Sequence, residues 1–449
     1  MTELTREQRL LAIGLVLGVT LVAFEMTAVL TALPTITDEL GGDSLYGLAL
    51  AAYTLADVVA LVAAGELADR RGPTLPYVIS LAMFVVGLVV AAMAPSMWVI
   101  VAGRALQGAG TGGLAPIAYI LVKRAFPEDR QPSIFAFLSA GWVIPSLTAP
   151  AFGGFITERF GWKWVFISII PFALAVAVLA TRPMRQFGPT ATDPQPTRVP
   201  IAIVAAVGVG MLALGLQAQQ WWTALIAITA GLSLAAPALR RLLPAGTGRA
   251  APGLAAVIAC RALATAAFLG VDSFVPLAAD RIHGVGALTQ GFVIVGGAIT
   301  WTVGQWWRVR RPSQSPAAAS RNGFLILALG ALLTTPVVFA DWPLWATFMT
   351  WAIGGLGMGL LFNPTSIAAM SYAVDGSEGV VSSQVHLADA LGFSLMGGIG
   401  GAMVAVADRG SWSLNAALAT CMSTAVVIAL VGSVAARGIR GYSDRSATI

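Results

Sequence analysis

Four acidic residues lie inside long apolar stretches of this chain, where charged side chains are rare. Glu25 interrupts the run from Leu10 to Pro34, and later runs of the same kind contain Asp57, Asp272 and Asp389. A carboxylate at membrane depth is expensive, so its presence indicates a role such as proton transfer or cation binding. We therefore treat Glu25 as a candidate proton site. Asp57 is a second titrating group, a contact for a cationic substrate, or a residue that only faces water.

An arginine lies at the same predicted depth as Glu25. Glu25 is eight residues from the outer end of its apolar run, and Arg104 is about seven residues from the outer end of another. At the rise of an α-helix both lie roughly 10–12 Å below the outer surface, so the two side chains can meet. Burial favours the neutral carboxyl group whereas the arginine favours its ionised form, and a site under both influences can exchange a proton. The alternative is a permanent ion pair that locks two helices together.

The second half of the chain contains a further set of candidate substrate or proton sites. Arg261 and Asp272 are eleven residues apart, which separates them by roughly 16 Å along a helix and prevents pairing. Arg261 lies nine residues from the inner end of its run and Asp389 lies ten from the inner end of another, which predicts an Arg261–Asp389 pair. His386 precedes Asp389 by three residues. It is either a proton relay or a hydrogen-bonded packing residue.

The composition predicts that membrane-spanning helices position these charged side chains. The 449 residues are 57% hydrophobic and only 10% charged, with a mean hydropathy of +0.82. A soluble protein of this length needs more charge, so the chain is predicted to be an all-α integral membrane protein. The net charge of +5 is attributed to basic inner loops and not to nucleic-acid binding. Two cysteines and two histidines provide neither a disulfide framework nor a metal site.

We predict fourteen membrane spans in three segments. Residues 1–181 form a six-helix half, residues 182–251 form a linker with two extra helices, and residues 252–449 form a second six-helix half. Most arginines and lysines fall in the segments that become inner loops when both termini are cytoplasmic. The predicted spans are about 10–33, 45–67, 75–94, 97–121, 132–156, 162–181, 200–217, 220–239, 252–278, 288–307, 322–340, 343–368, 379–404 and 412–436.

Four motifs in the first half carry a family resemblance. They are FEMTAVLTALP at 24–34, GELADRRG at 65–72, VAGRALQGAGTGG at 101–113 and GWVIPSLTAPAFGG at 141–154. Together, and in this order, they resemble the first-helix, inner-loop, fourth-helix and antiporter motifs of the major facilitator superfamily, and in particular its fourteen-helix drug:proton antiporter family. The resemblance implies two six-helix halves with two additional linker helices, and proton coupling at Glu25 and Arg104.

Two of these motifs predict conformational roles. The inner-loop motif, by resemblance, places a gate at Gly65, Asp69, Arg70 and Gly72, where the carboxylate caps a helix of the other half or pairs with an arginine. The alternative is a solvated loop charge. The antiporter motif contains Gly141, Pro145, Pro150, Gly153 and Gly154. Small residues at steps of four (141, 145, 149 and 153) form a stripe on one helix face, and the two prolines bend the helix. The stripe predicts either a tight contact with the opposite half or ordinary membrane packing.

The function expected from these patterns is proton-driven export of hydrophobic or cationic small molecules. The chain contains no nucleotide-binding motif, because the Gly-rich stretch 108–113 lies within an apolar run. We therefore expect no enzyme activity and no cofactor. The expected partners are a small-molecule substrate, protons and the lipid bilayer of a bacterial cytoplasmic membrane, with the protein as a monomer. The alternatives are transport of lipids or lipid-like compounds, uptake of a metabolite, or a scaffold or receptor without transport.

Overall fold

The computed structural model describes residues 4–41, 45–190, 197–218, 220–310, 315–374, 376–408, 410 and 412–439. Within these ranges the chain forms sixteen α-helices and no strands, which confirms the all-α prediction. The helices are α1 (Arg6–Leu40), α2 (Tyr46–Arg71), α3 (Thr74–Ala92), α4 (Met97–Ala125), α5 (Gln131–Ala140), α6 (Val143–Phe160), α7 (Lys163–Met184), α8 (Val199–Gln217), α9 (Trp221–Leu242), α10 (Leu254–Asp272), α11 (Val275–Arg281), α12 (Ala287–Arg310), α13 (Pro316–Thr334), α14 (Leu344–Tyr372), α15 (Glu378–Asp408) and α16 (Leu414–Ala435).

The length and hydropathy of these helices suit a membrane. Among the described residues, eleven helices are long and apolar enough to cross a bilayer. A helix satisfies its backbone hydrogen bonds internally, which is what the hydrocarbon core requires of any spanning segment. The predicted spans at 132–156, 200–217 and 288–307 are helical but are not among the eleven. The count of fourteen spans therefore stays a prediction.

Two of the predicted spans are broken, and a proline accounts for each break. The span at 132–156 is interrupted at Gly141 and Trp142, between α5 and α6. Pro145 lies four residues after Gly141, so it cannot donate to the Gly141 carbonyl and its ring crowds that carbonyl. In the same way α10 ends at Asp272, four residues before Pro276. The second break leaves an acidic side chain at the end of a helix.

Contacts divide the chain into two compact units. The first unit contains Met1–Ala206 and Ala373–His386, and the second contains Val207–Tyr372 and Leu387–Ile449. In the first unit α4 packs against both α2 and α3, and in the second α14 packs against both α12 and α13. Helices α8 and α15 each contribute to both units. The two units do not correspond to the three predicted segments, so the division into residues 1–181, 182–251 and 252–449 stays a prediction.

Three exposed tryptophans lie in the first turns of helices. They are Trp98 of α4, Trp221 of α9 and Trp345 of α14, and their exposed fractions are 64%, 78% and 69%. Indole rings favour the boundary between hydrocarbon and water because they are apolar with one polar edge. Trp307, near the C-terminal end of α12, is exposed as well, so exposed indoles occur at both kinds of helix end.

Candidate functional site

Helix α4 brings the polar residues of the first unit together. A Cβ atom on Gly108 would overlap the backbone of Tyr53 in α2, and one on Gly112 would overlap the backbone of Asp57. The two glycines therefore allow α2 to lie directly against α4. Arg104 lies one helical turn from Gly108 on the same face, so it reaches the side chains of this contact.

The predicted pair of Glu25 and Arg104 is present in the first unit. Arg104 Nη1 donates to Glu25 Oε1, and it also donates to Gln107 Oε1 at 2.6 Å. The guanidinium lies 4.2 Å from the centroid of the Tyr53 ring, within range of a cation–π interaction. Glu25 is fully buried and Arg104 is 3% exposed. Water screening is therefore weak, and each charge depends on its protein neighbours.

The hydrogen-bonding capacity of Glu25, Arg104 and Gln107 is only partly used. Glu25 Oε2, Arg104 Nε and Gln107 Nε2 are buried and have no hydrogen-bond partner among the described residues. A buried polar atom without a partner is costly and is uncommon in stable cores. Glu25 Oε2 can take a proton while Oε1 keeps its contact with Arg104, so the geometry permits proton exchange.

Asp57 lies one turn further along α2 from Tyr53 and has a different partner. Thr111 Oγ1, on α4, donates to Asp57 Oδ1 at 3.2 Å. Among the described residues no arginine or lysine forms an ion pair with Asp57. It is therefore a second, uncompensated acid near the pair, and its role stays a prediction.

The predicted pair of Arg261 and Asp389 is present in the second unit and is well satisfied. Arg261 Nε donates to Asp389 Oδ1 at 3.0 Å, and Nη2 donates to Oδ2. Arg261 Nη1 donates to the carbonyl of Phe362 at 3.2 Å and to Ser366 Oγ at 3.0 Å. Thr265 donates a further bond to Asp389 Oδ1 at 3.0 Å. This bidentate geometry joins α10, α14 and α15.

The remaining predicted candidates, Asp272 and His386, lie apart from these pairs. Asp272 Oδ1 accepts a hydrogen bond of 2.8 Å from Trp351 Nε1 in the second unit. The His386 ring packs edge-on against Tyr119 in the first unit, with the ring centroids 4.5 Å apart. His386 therefore has an aromatic packing partner, and a role as proton relay stays a prediction.

The inner-loop motif forms a helix cap within the first unit. Asp69 Oδ1 accepts from the Gly379 amide at 2.7 Å, and Oδ2 accepts from the Val380 amide at 3.2 Å. These amides belong to the first turn of α15, where N–H groups lack partners in the helix itself. A Cβ atom on Gly65 would overlap Ser383 and the Gly379 carbonyl, so glycine is required for this approach. Asp69 thus caps a helix N-terminus, and its role as part of a gate stays a prediction.

The rest of this motif lies at the end of α2. Gly72 has φ +80°, and a Cβ atom there would lie 2.8 Å from the Phe187 carbonyl oxygen. Arg70 is partly exposed and lies 4.0 Å from Glu66. At position 72, the positive φ and the close approach of the Phe187 carbonyl oxygen both favour glycine.

Several groups around the cap were not predicted from the sequence. Lys123 donates to the Ala373 carbonyl and lies 4.0 Å from Glu378. Thr190, in the connection after α7, donates its amide to the Asp69 carbonyl at 3.0 Å and its hydroxyl to Glu378 at 3.3 Å. The basic inner loops are visible in the sequence, but these partners depend on the packing.

The antiporter motif packs against α1 of its own unit. A Cβ atom on Gly141 would lie 3.0 Å from Thr20, and one on Gly153 would lie 2.8 Å from the Ala28 carbonyl oxygen. Pro145, which lies between the two glycines in the sequence, is buried. The side chain of Pro150 lies outside the described residues. Gly154 has no atom within 4 Å of its added Cβ. The sequence left open whether this stripe contacts the opposite half or packs as membrane helices ordinarily do. In the structure Gly141 and Gly153 lie against α1 of the same unit, and a role of the motif in the transport switch stays a prediction. The four-residue spacing defines a face but not the helix that covers it.

A family comparison matches this arrangement of motifs. The model of the Major Facilitator Superfamily matches residues 15–397. The chain belongs to this superfamily. Its members are transporters, so the chain is a multi-pass membrane transporter and not an enzyme. Among the described residues no group of three or more histidine, cysteine or acidic side chains is placed to hold a metal ion.

Relatives of the superfamily member described here include proteins named for drug efflux. It is 27% identical to a probable multidrug-efflux transporter of Mycobacterium tuberculosis over 418 residues, which cover 88% of this chain and 87% of the relative. It is also 27% identical to the multidrug transporter protein MdtP of Bacillus subtilis over 412 residues, covering 86% of this chain and 73% of that protein.

Solved structures show the same fold. The human organic anion transporter MFSD10 superimposes with a TM-score of 0.73 at 15% identity, covering 96% of this chain and all of that one. A peptide transporter of the POT family superimposes with a TM-score of 0.63, also at 15% identity, covering 96% of this chain and 97% of that one. At this identity the likeness supports the superfamily fold alone.

Proposed function

We propose that this transporter exports hydrophobic or cationic small molecules in exchange for protons, by alternating access in a bacterial cytoplasmic membrane. The observation that carries the proposal is the half-satisfied pair of Glu25 and Arg104. One carboxylate oxygen contacts the guanidinium, and the other is buried without a partner among the described residues. The efflux names of the relatives favour export and drug-like substrates.

The proposed cycle uses the two charge states of Glu25. In the ionised state the carboxylate attracts Arg104 strongly, because few other groups screen the pair. A proton on Oε2 removes the carboxylate charge and so weakens the attraction between Glu25 and Arg104. The Arg104 charge is then stabilised by Gln107 and the Tyr53 ring. A ligand or proton that prefers one conformation shifts the population toward it. Protonation of Glu25 therefore biases the switch between outward-open and inward-open states.

The second ion pair is assigned a structural role. Asp389 receives three hydrogen bonds from Arg261 and Thr265, and Arg261 has further acceptors in Phe362 and Ser366. A fully bonded, charge-assisted network holds a single geometry and resists loss of a member. We propose that it holds α10, α14 and α15 together while Glu25 titrates.

The cap on α15 is proposed to act as the inner gate. Asp69 bonds two N–H groups at a helix N-terminus, where a negative charge is favoured. An inward-open state that separates α2 from α15 would have to break both bonds. The cap therefore favours the state in which the inner side is closed.

The test is proton-driven flux in inverted membrane vesicles that contain the full chain. A respiration-generated gradient should drive accumulation of a fluorescent cationic dye, and addition of the dye should partly dissipate the gradient. Glu25→Gln should abolish both signals, whereas Glu128→Gln, an exposed acid between α4 and α5, should leave them unchanged. Unchanged flux and dissipation in Glu25→Gln would show that the proton site lies elsewhere.

The same vesicles separate the alternative functions. A panel that includes neutral drugs, a fluorescent lipid and common metabolites identifies the substrate class by its gradient-dependent movement. A chain that moves none of these compounds and dissipates no gradient would instead be a scaffold or receptor.

A further inference from the structure

The connection that follows α7 packs against the ends of two helices in the first unit. Arg124, in the last turn of α4, donates from Nη2 to the Gly188 carbonyl at 2.8 Å, and its guanidinium lies 5.7 Å from the centroid of the Phe187 ring. A Cβ atom on Gly72, directly after α2, would lie 2.8 Å from the Phe187 carbonyl oxygen. Residues 186–190, which we call the strap, are therefore in contact with the ends of both α2 and α4.

Helix α2 bonds this connection at two places. The Thr190 amide, in the strap, donates to the Asp69 carbonyl at 3.0 Å. Glu66 accepts from the Thr197 hydroxyl at 2.9 Å and from the Arg198 amide. Thr197 and Arg198 directly precede α8, and Glu66 and Asp69 lie in the last two turns of α2. The strap and the start of α8 are therefore both attached to the same end of α2.

The same threonine also contacts α15. Thr190 donates its hydroxyl to Glu378 Oε2 at 3.3 Å, and Glu378, the first residue of α15, is only 2% exposed. Thr190 thus bonds α2 through its backbone and α15 through its side chain. These are the two helices that the Asp69 cap joins. The hydroxyl bond is longer than the 3.0 Å amide bond to Asp69, so it is the weaker of the two and the one that we expect to open first.

The strap supplies one of the donors that satisfy Glu378. The Gly376 amide donates to Oε2 at 3.0 Å. On the other side Lys123, which donates to the Ala373 carbonyl, lies 4.0 Å from Oε1. Loss of the Thr190 hydroxyl would leave a buried carboxylate oxygen with one donor fewer, which is unfavourable. Contact with the strap therefore stabilises the start of α15.

We propose that the strap is a moving part of the inner gate. It stays attached to α2 and α4, and the Thr190 hydroxyl binds Glu378 when the inner side closes and releases it when α15 separates from α2. The contacts with α2 and α4 use backbone groups and packing, whereas the contact with α15 uses a side-chain hydroxyl, which gives this order of release. The start of α8, bonded to Glu66, moves with α2. The inference rests on the proposed function, because the Asp69 cap is proposed there as the inner gate.

The test is hydrogen exchange in the purified full chain in detergent, read from one peptide at the start of α15 (376–385) and one at the start of α8. Thr190→Val removes the hydroxyl and keeps the amide and the shape. The start of α15 should then exchange about threefold faster, as loss of one hydrogen bond implies, while α8 is unchanged. Thr190→Ser keeps a hydroxyl and should exchange like the wild type. Thr148→Val, at an exposed position on α6, is the matched control and should change neither peptide.

Cross-linking tests which contact is released. Cysteines are introduced in pairs and joined by a short, flexible bis-maleimide, and the two native cysteines are buried. Joining Thr190→Cys to Glu378→Cys should slow exchange at the start of α15 relative to the same variant before joining, because α15 can no longer leave the strap. Joining Glu66→Cys to Thr197→Cys should not change exchange at the start of α15, because that contact stays closed throughout.

Two results would overturn the assignment. One is equal exchange at the start of α15 in Thr190→Val and the wild type. The other is slowing of that exchange by the cross-link at 66 and 197 as well as by the one at 190 and 378. If Thr190→Val does not elute as a single species, the cross-links decide, and no slowing by the pair at 190 and 378 counts against the strap. Exchange needs neither gradient nor substrate, so the strap can fail while Glu25-dependent flux in vesicles stands, and the flux can fail while the strap stands.

Discussion

The two ion pairs differ in how completely their polar atoms are bonded. The pair of Arg261 and Asp389 is bidentate and has additional partners on both sides. The pair of Glu25 and Arg104 leaves an oxygen and a nitrogen without partners among the described residues. A fully bonded pair favours one geometry, whereas a partly bonded one has room for a change of protonation. This contrast in bonding is why we assign a structural role to the first pair and coupling to the second.

A double-mutant cycle tests the structural role of Arg261 and Asp389. Arg261→Ala or Asp389→Ala leaves a charge in the protein interior without its partner, which should cost about 3 kcal/mol of stability in each case. The double variant removes both charges and should lose less than either single variant. The measurement is reversible unfolding in mixed micelles, and additive losses would contradict the pair.

Counting residues from the ends of apolar runs was sufficient to find both ion pairs. The rise of a helix is constant, so two charges at equal depth on different spans can meet. The same reasoning could not find Tyr53 beside Arg104, or Trp351 beside Asp272. Those contacts depend on how each helix is rotated about its axis and on which glycines admit a ring. Gln107, which also bonds Arg104, could be found from the sequence because residues three apart on a helix are neighbours.

At the scale of elements, the small residues of α6 decide how α1 is held. Helix α1 carries Glu25, and it is approached by Gly153 of α6 and by Gly141 in the break before α6. The spacing in the sequence predicts such a stripe, but the choice of α1 as its neighbour is a property of the packed structure. The position of Glu25 therefore depends on residues that have no polar chemistry.

The neighbouring glycines 153 and 154 form a matched pair for testing this contact. Gly153→Ala should lower stability by about 1–3 kcal/mol, because the added methyl group meets the backbone of Ala28. Gly154→Ala meets no atom within 4 Å and should be neutral or slightly stabilising. Thermal unfolding in detergent measures both, and equal effects of the two substitutions would contradict the described packing.

The cap of α15 makes a second prediction at this scale. Asp69→Asn leaves one acceptor oxygen for two amides and removes the charge that favours a helix N-terminus, so the cap should weaken by about 1 kcal/mol. Hydrogen exchange in a peptide covering 376–385 should accelerate about fivefold, as that free energy implies. Glu128→Gln is the control. Unchanged exchange in Asp69→Asn would show that the carboxylate does not hold α15.

The region around Asp272 is a single candidate span that contains a break, since Leu254–Arg281 is among the eleven segments long and apolar enough to cross a bilayer and combines α10 with α11. Residues 252–278 were predicted as one span, since their hydropathy is continuous. Pro276 was the available signal, because a proline disfavours the helix at the preceding turn. Hydropathy reports how long an apolar segment is, but not whether its hydrogen bonding is interrupted within it.

At the scale of the whole molecule, α8 and α9 decide whether two of the fourteen predicted spans are present. A Cβ atom on Gly208 of α8 would lie 2.6 Å from the Ala235 amide of α9, so the two helices pack closely. If both cross the membrane, the turn between them lies outside. Most other loops keep their side whether or not this pair crosses, so the turn itself must be probed.

Labelling with a membrane-impermeant maleimide tests this arrangement. The native Cys260 and Cys421 are buried, so the wild type should react little. Gln220→Cys should react only from the outer side, and Glu128→Cys only from the inner side. Both positions are exposed in the structure. Reaction of Gln220→Cys from the inner side would show that α8 and α9 do not span, and would reduce the count to twelve.

Proton release on substrate binding tests most directly whether Glu25 exchanges its proton for substrate. Tetraphenylphosphonium is added to the purified protein in weakly buffered detergent solution with a pH indicator. Coupling between two ligands is reciprocal. If the substrate binds better to the deprotonated protein, its binding therefore releases the proton. The wild type should acidify the solution, and so should the control Asp280→Asn, which changes an exposed acid on α11. Glu25→Gln should release no protons although it still binds the cation. Equal proton release from Glu25→Gln and the wild type would contradict the account.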